Sequence, residues 1–126
     1  MNLIADVLRE LGRTDLSGLE QLRALIASGK RPGISESLDF ALTEVDVGRA
    51  VFEGVPGHHA YNPIGMVHGG YAATLLDSAC GCAVHSQLQA GQGYTTLELK
   101  VAYHKAATSQ TGLLRAEGRV LTMGRR

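Results

Sequence analysis

One segment near the middle of the chain, residues 68–89, is apolar on nearly every side and rich in small side chains. No polar face is evident along it before Gln87. A helix that is apolar all round is buried rather than lying on a surface. Small residues such as Ala73 and Gly81 allow another element to pack closely against it. The segment therefore predicts one long buried helix with a curved sheet wrapped around it, an α+β fold.

The residues on either side of this helix change to a period of two, which is typical of strands. Leu38, Phe40 and Leu42 alternate with other residues, and Gly48 marks a turn before a second apolar stretch. The predicted elements are a hairpin at 37–55, a loop at 56–67 and strands at 94–105 and 112–121.

The N-terminal part of the chain has the spacing of two short amphipathic helices. Gly12 and Gly29 provide their stops, and Ser17 with Glu20 forms a capping box at the start of the second helix. We interpret these helices as an extension that lies on the rest of the molecule. The predicted division is an N-terminal helical extension and linker at 1–33 and a single domain at 34–126.

Composition excludes several classes of function. The 126 residues fit one domain, and 12 basic residues balance 12 acidic residues, so no basic surface for nucleic acid is expected. No apolar run approaches the ~18 residues that a membrane helix needs. Cys80 and Cys82 stand too close together in the chain to staple a fold, so a reducing, cytoplasmic setting is expected.

Asp77 does not fit the buried helix, because a carboxylate without water or a partner is costly to bury. Two interpretations stay open. Asp77 is either a structural residue bonded to a neighbouring backbone group or hydroxyl, or a functional carboxylate.

The second unusual feature is His68-Gly69-Gly70 at the expected start of the helix. Glycines let backbone N–H groups approach a ligand, and a helix N-terminus favours negative charge. The Gly69 N–H is therefore a candidate oxyanion donor, although the same residues also suit a plain tight turn. Gly69 and Asp77 are eight residues apart, or about 12 Å along one helix. If both act on one carbonyl, the site must combine two subunits.

The stretch 62–70, which begins at Asn62 and ends in the His-Gly-Gly turn, continues to Asp77 in an order and spacing that resemble the PaaI-like branch of the hotdog-fold thioesterases. Residues 95–103 resemble the strand that follows the helix in this family. The resemblance covers about residues 37–126.

The resemblance implies a long central helix wrapped by an antiparallel sheet, which is the hotdog fold. It implies a homodimer whose sheets join edge to edge, assembled further into a dimer of dimers, with active sites at the subunit interface. It also implies strands beyond Arg126, so we expect the sheet formed by these residues alone to be incomplete. The implied reaction is hydrolysis of an acyl-CoA thioester, for which CoA is part of the substrate and no cofactor is needed.

By the same resemblance, five residues have roles in the site. Asp77 matches the catalytic carboxylate, acting as general base or nucleophile, and Gly69 matches the oxyanion donor. Asn62 matches the polar residue near the thioester carbonyl or the attacking water. His68 supports the turn and the thioester pocket, and Thr96 falls where some members carry a hydroxyl that helps place the water.

The nucleotide end of CoA carries phosphates, for which Lys105, Arg125 and Arg126 are the candidate cations. No metal site is expected, because the five histidines show no ligand spacing. Cys80 and Cys82 are interpreted as small packing residues on different sides of the helix.

Two other functions stay open. A hotdog hydratase or dehydratase would use His68 as its catalytic histidine, and a non-catalytic module would bind acyl-CoA without turnover. Tyr71 and Tyr103 are candidates either for the acyl pocket or for the core.

Overall fold

The computed structural model describes residues 2–124 and contains four α-helices and three strands within them. In chain order these are α1 (Leu3–Leu11), α2 (Gly18–Ser28), α3 (Gly33–Leu38), β1 (Ala41–Asp46), β2 (Arg49–Gly54), α4 (Gly69–His85) and β3 (Leu114–Arg119). A single 3-10 turn, His58–Ala60, lies in the loop before α4. None of the helices in residues 2–124 is long and apolar enough to cross a membrane.

The three strands form one antiparallel sheet in the order β1-β2-β3. The predicted hairpin is present, and its turn contains Gly48 with a positive φ of 71°, a conformation that suits glycine. A register shift between Leu42 and Glu44 marks a bulge in β1. The central strand β2 is the most buried of the three, with Ala50, Val51 and Phe52 all in the interior.

Residues 33–38 form the short helix α3, so the predicted start of the hairpin at residue 37 is wrong, and the first strand begins at Ala41. Pro32 precedes the helix as its N-cap, and Ser35 is buried within it. Asp39 then adopts a left-handed conformation with φ of 56°, which ends the helix. The period-two pattern is real only from Phe40 onward, because Leu38 belongs to the helix.

Helix α4 packs against the sheet along one face. That face carries buried Tyr71, Leu75, Ala79 and Ala83, which follow each other every four residues. The helix ends at His85, earlier than the predicted end near residue 89. The expected burial on every side is wrong, because three strands cover one side and a single extended segment covers another.

The core joins this helix face to the sheet and to the loop before the helix. Phe40 and Phe52 pack edge to face with their ring centroids 5.8 Å apart. The buried residues that form this cluster are Phe40, Phe52, Ala60, Val67, Tyr71, Leu75, Ala79 and Ala116.

The sheet approaches α4 most closely at Gly118 of β3. A side-chain carbon at this position would overlap the carbonyl group of Ala79. Glycine is therefore required, because the backbones of the strand and the helix are in direct contact there. The small residues along α4 permit an approach of this kind.

The sequence predicts a strand at 94–105, but the segment 93–106 forms no backbone hydrogen bond within residues 2–124. It runs antiparallel to α4 and touches it through side chains. Tyr94 lies against Gly81, Thr96 bonds to Asp77, and Tyr103 lies against Gly69. A paired strand requires a partner that residues 2–124 do not supply, so the predicted strand is absent from the sheet of the described residues.

The N-terminal helices begin and end as predicted. The capping box of Ser17 and Glu20 is present, and Gly12 and Gly29 follow the two helices in left-handed conformations. Helix α2 rests on the C-terminal end of α4, where the Gly18 N–H donates to the Leu88 carbonyl at 2.8 Å.

Replacement of Gly118 by alanine tests the contact between strand and helix. We expect Gly118→Ala to lower the free energy of unfolding by about 3 kcal/mol, because its new carbon has to displace backbone rather than a side chain. Gly33→Ala is the control, since nothing lies within 4 Å of the added carbon there. It should leave stability unchanged or raise it by about 0.4–1 kcal/mol. Equal denaturation midpoints for the two variants would contradict the packing.

Candidate active site

Asp77 lies on α4 and is half-buried. Its Oδ1 atom accepts a hydrogen bond of 2.9 Å from the Thr96 hydroxyl, while Oδ2 has no hydrogen-bond partner within residues 2–124. Thr96, and not its neighbour Thr95, is thus the threonine that contacts the carboxylate. A carboxylate with one oxygen fixed and the other available can accept a proton or attack an electrophile in a defined direction.

The His-Gly-Gly turn forms the N-terminus of α4. His68 is the N-cap, and its Nδ1 atom accepts a hydrogen bond of 2.8 Å from the Gly70 N–H. The Gly69 N–H has no hydrogen-bond acceptor within residues 2–124. An unpaired donor at a helix N-terminus is suited to stabilise negative charge.

Asn62 organises the loop that precedes the helix. Its Oδ1 atom accepts hydrogen bonds from the Ile64 N–H at 3.1 Å and from the Met66 N–H at 3.0 Å. The carbonyl half of the amide is therefore occupied, and the Nδ2 donors are the half that is free to meet a ligand.

Gly69 and Asp77 stand on the same helix, two turns apart. The rise of an α-helix separates their positions by about 12 Å. One protomer therefore brings Thr96 to Asp77 but does not bring Asp77 to the glycine turn.

Tyr103 is one of the two tyrosines whose positions the sequence left undecided. Its side chain is exposed, and its hydroxyl donates to the Gly69 carbonyl at 2.6 Å. Tyr71, by contrast, is a core residue with 3% of its surface exposed. The signal that could have separated them was their secondary structure, because Tyr71 falls on the apolar face of the helix and Tyr103 on the segment beside it.

A second tyrosine of the same segment, Tyr94, stands one helical turn beyond Asp77. Burial, with smaller contributions from Cys82 and Asp77, raises the pKa of Tyr94 to about 12, so it stays a neutral phenol at physiological pH. Its ring packs edge to face on His85, and Nε2 of His85 lies 2.8 Å from Oε1 of Gln21 in α2. Burial also lowers the pKa of His85. The N-terminal extension therefore contacts α4 at His85, and His85 in turn packs against the segment that carries Thr96.

Lys105 borders a surface groove of about 550 Å³ and forms no ion pair within residues 2–124. Arg125 and Arg126, the other candidate cations, lie outside the described residues. A further groove of about 560 Å³ lies beside the β1–β2 turn. Neither groove is lined by Asp77 or Gly69.

No cluster of three or more His, Cys, Asp or Glu side chains in residues 2–124 could hold a metal ion. The two cysteines are free thiols and differ in exposure, since Cys80 is exposed and Cys82 is half-buried. They therefore face different surroundings, as their spacing on the helix predicts.

Comparison with known proteins identifies the family. The chain belongs to the thioesterase superfamily, whose family model matches residues 64–126, half of the chain. The matched stretch contains the glycine turn, Asp77 and the segment 93–106. A comparison with curated proteins gives no match.

Solved structures with the same fold agree with this assignment. A Bacillus halodurans protein determined with CoA is 31% identical, with 99% of this chain and 78% of that chain covered and a TM-score of 0.67. A phenylacetic acid degradation-related protein of Ralstonia eutropha is 28% identical, with 82% and 79% covered and a TM-score of 0.71.

The PaaI protein of the Escherichia coli phenylacetic acid degradation operon is 21% identical, with 82% and 72% covered and a TM-score of 0.69. The hotdog fold and the similarity to the PaaI-like branch are therefore confirmed.

The two cysteines offer a chemical test of the described packing. Burial raises the pKa of the Cys82 thiol to about 12, so almost none of it is thiolate at pH 8, and thiolate is the reactive form. We expect iodoacetamide at pH 8 to alkylate Cys80 and to spare Cys82, as read by peptide mass spectrometry. Cys80→Ser should abolish the fast labelling and Cys82→Ser should leave it intact. Equal labelling of both thiols in the folded protein would contradict this packing.

Proposed function

We propose that this protein hydrolyses an acyl-CoA thioester to the free acid and CoA, with Asp77 as general base or nucleophile and the Gly69 N–H as oxyanion donor. The observation that carries the proposal is the carboxylate of Asp77, which has one oxygen bonded to Thr96 and the other without a partner in residues 2–124. Asp77 stands on the helix that begins with the unpaired Gly69 N–H. Membership of the thioesterase superfamily and the CoA bound to a similar protein support it.

The reaction follows from these groups. As general base, Asp77 takes a proton from water while the water oxygen bonds to the thioester carbonyl carbon. As nucleophile, its carboxylate attacks that carbon and forms an anhydride that water then hydrolyses. In both cases the carbonyl oxygen becomes negative, the Gly69 N–H stabilises it, and the C–S bond then breaks. As general base, Asp77 passes the proton that it took from water to the departing sulfur. After nucleophilic attack CoA leaves as the thiolate and takes up a proton that is released when water hydrolyses the anhydride.

The proposed site is shared between two subunits. The separation of about 12 Å along α4 is too long for Gly69 and Asp77 of one protomer to act on the same carbonyl. The unpaired backbone of residues 93–106 supports this view, because an exposed extended segment with free N–H and C=O groups can pair with another chain. We therefore expect the active form to be a homodimer, with a dimer of dimers as the larger assembly.

The remaining residues would bind and position the substrate. The free Nδ2 donors of Asn62 suit the thioester carbonyl or the attacking water, and the His68 ring holds the glycine turn. Lys105 would meet a phosphate of the nucleotide, together with Arg125 and Arg126. The free thiols of the described chain fit the expected cytoplasmic setting.

Replacement of Asp77 by asparagine is the direct test. Asp77→Asn keeps the shape of the side chain and an oxygen that can accept from Thr96, but it removes the basic carboxylate. We expect kcat to fall at least ~100-fold with little change in melting temperature, since a general base contributes about 10²–10⁴-fold. Hydrolysis should be followed by the loss of thioester absorbance over aromatic, short-chain and medium-chain acyl-CoAs, because exposed Cys80 would itself consume a thiol reagent.

Asp15→Asn is the matched control, because it changes an exposed carboxylate in the loop between α1 and α2. Retention of more than a tenth of the activity by Asp77→Asn would refute the proposed role. Conversion of an enoyl-CoA without thiol release would favour a hydratase. Tight binding of acyl-CoA without turnover, unchanged by Asp77→Asn, would favour a non-catalytic module.

Two adjacent threonines test the contact with the carboxylate. We expect Thr96→Val to lower kcat about tenfold, because a hydrogen bond to a charged group is worth about 1.5–3 kcal/mol and 1.4 kcal/mol corresponds to tenfold. Thr95→Val, one residue away and without this bond, should retain wild-type kcat. Equal effects of the two substitutions in steady-state kinetics would contradict the contact between Thr96 and Asp77.

A further inference from the structure

The glycine turn at the start of α4 poses a mechanical problem for the proposed site. Glycine has no side chain to restrict its backbone, so two consecutive glycines give the chain unusual freedom. An oxyanion donor works only when it is fixed in direction before the reaction begins. The turn therefore requires restraint from groups outside Gly69 and Gly70.

The peptide group between the two glycines is held at both of its ends. The Tyr103 hydroxyl donates to the Gly69 carbonyl at 2.6 Å, and the Gly70 N–H donates to His68 Nδ1 at 2.8 Å. The next carbonyl, that of Gly70, accepts from the Thr74 hydroxyl at 2.7 Å. The Gly69 N–H is the group of this turn that stays unpaired within residues 2–124.

The ring of Tyr103 also lies directly against Gly69. A side-chain carbon at Gly69 would stand 3.2 Å from the phenol oxygen and 3.3 Å from the ring carbon that bears it. Tyr103 is nevertheless 58% exposed, so burial in the core does not account for its position. Its hydrogen bond to the turn does, because this bond is short and fastens the segment 93–106 to the first residue of α4.

We propose that Tyr103 is a positioning residue, whose hydroxyl fixes Gly69 so that the Gly69 N–H is directed at the thioester carbonyl oxygen. This inference rests on the proposed function and extends it to a residue on the segment 93–106. The hydroxyl does not meet the substrate in this role. It acts through the Gly69 carbonyl, and its removal loosens the donor without removing it.

Tyr103→Phe tests the role, because it deletes the hydroxyl and keeps the ring. We expect kcat to fall about tenfold, less than the ~10²–10³-fold that follows complete loss of an oxyanion donor. KM and the melting temperature should stay within error of wild type, since the exposed ring contributes little to the core. The amide exchange of Gly70, followed by NMR, should become faster in the same variant because its peptide group loses one of two restraints.

Tyr61→Phe is the matched control, because the Tyr61 hydroxyl makes no hydrogen bond within residues 2–124, and it should keep wild-type kcat. A wild-type protein that does not hydrolyse any acyl-CoA would overturn the proposed function and this inference with it. A hydrolysing wild type with kcat of Tyr103→Phe within twofold would overturn this inference alone. A rise in KM without a loss of kcat, or an equal loss in Tyr61→Phe, would also overturn it.

Discussion

The contact between the backbone of the sheet and the backbone of α4 is the constraint on which this structure depends. Gly118 of β3 lies directly on the Ala79 carbonyl, with no room for a side chain between them. On another side of the same helix, the Tyr94 phenol lies against Gly81. Neighbours this close explain why the helix carries small residues at Ala79 and Gly81, since larger ones there would push both layers away and open voids in the core.

Close packing of this kind also makes a polar group on the helix possible. A carboxylate at Asp77 is accommodated because the covering segment brings a hydroxyl to it, rather than an apolar side chain. Through Tyr103 the same segment also contacts the glycine turn, where Gly69 precedes Asp77 by eight residues on the helix. One extended stretch of chain thus supports both polar features of α4, and its placement decides the geometry of each.

The sequence was informative where the signal is local. The capping box at Ser17, the turn at Gly48 and the glycine start of α4 all depend on the properties of one to four neighbouring residues, and all are present. It was less informative where distant parts of the chain compete. The helix at 33–38 escapes prediction because Leu38 and Phe40 have the spacing of a strand. The unpaired backbone of 93–106 depends on which strands exist elsewhere in the sheet, and no local pattern contains that information.

The same reasoning explains which parts of the site a sequence can reveal. Asp77 stands out because a carboxylate among apolar neighbours is costly, and Gly69 stands out because consecutive glycines at a helix start are unusual. Tyr103 gives no comparable signal, since a tyrosine in an extended segment suits a core, a pocket or a surface equally. Its role follows only from the structure, in which its hydroxyl bonds the Gly69 carbonyl. Gly69 belongs to the turn and carries the N–H that stays unpaired within residues 2–124. A residue that acts through the backbone is therefore identified from geometry, whereas a residue that acts through its own charge can be recognised earlier.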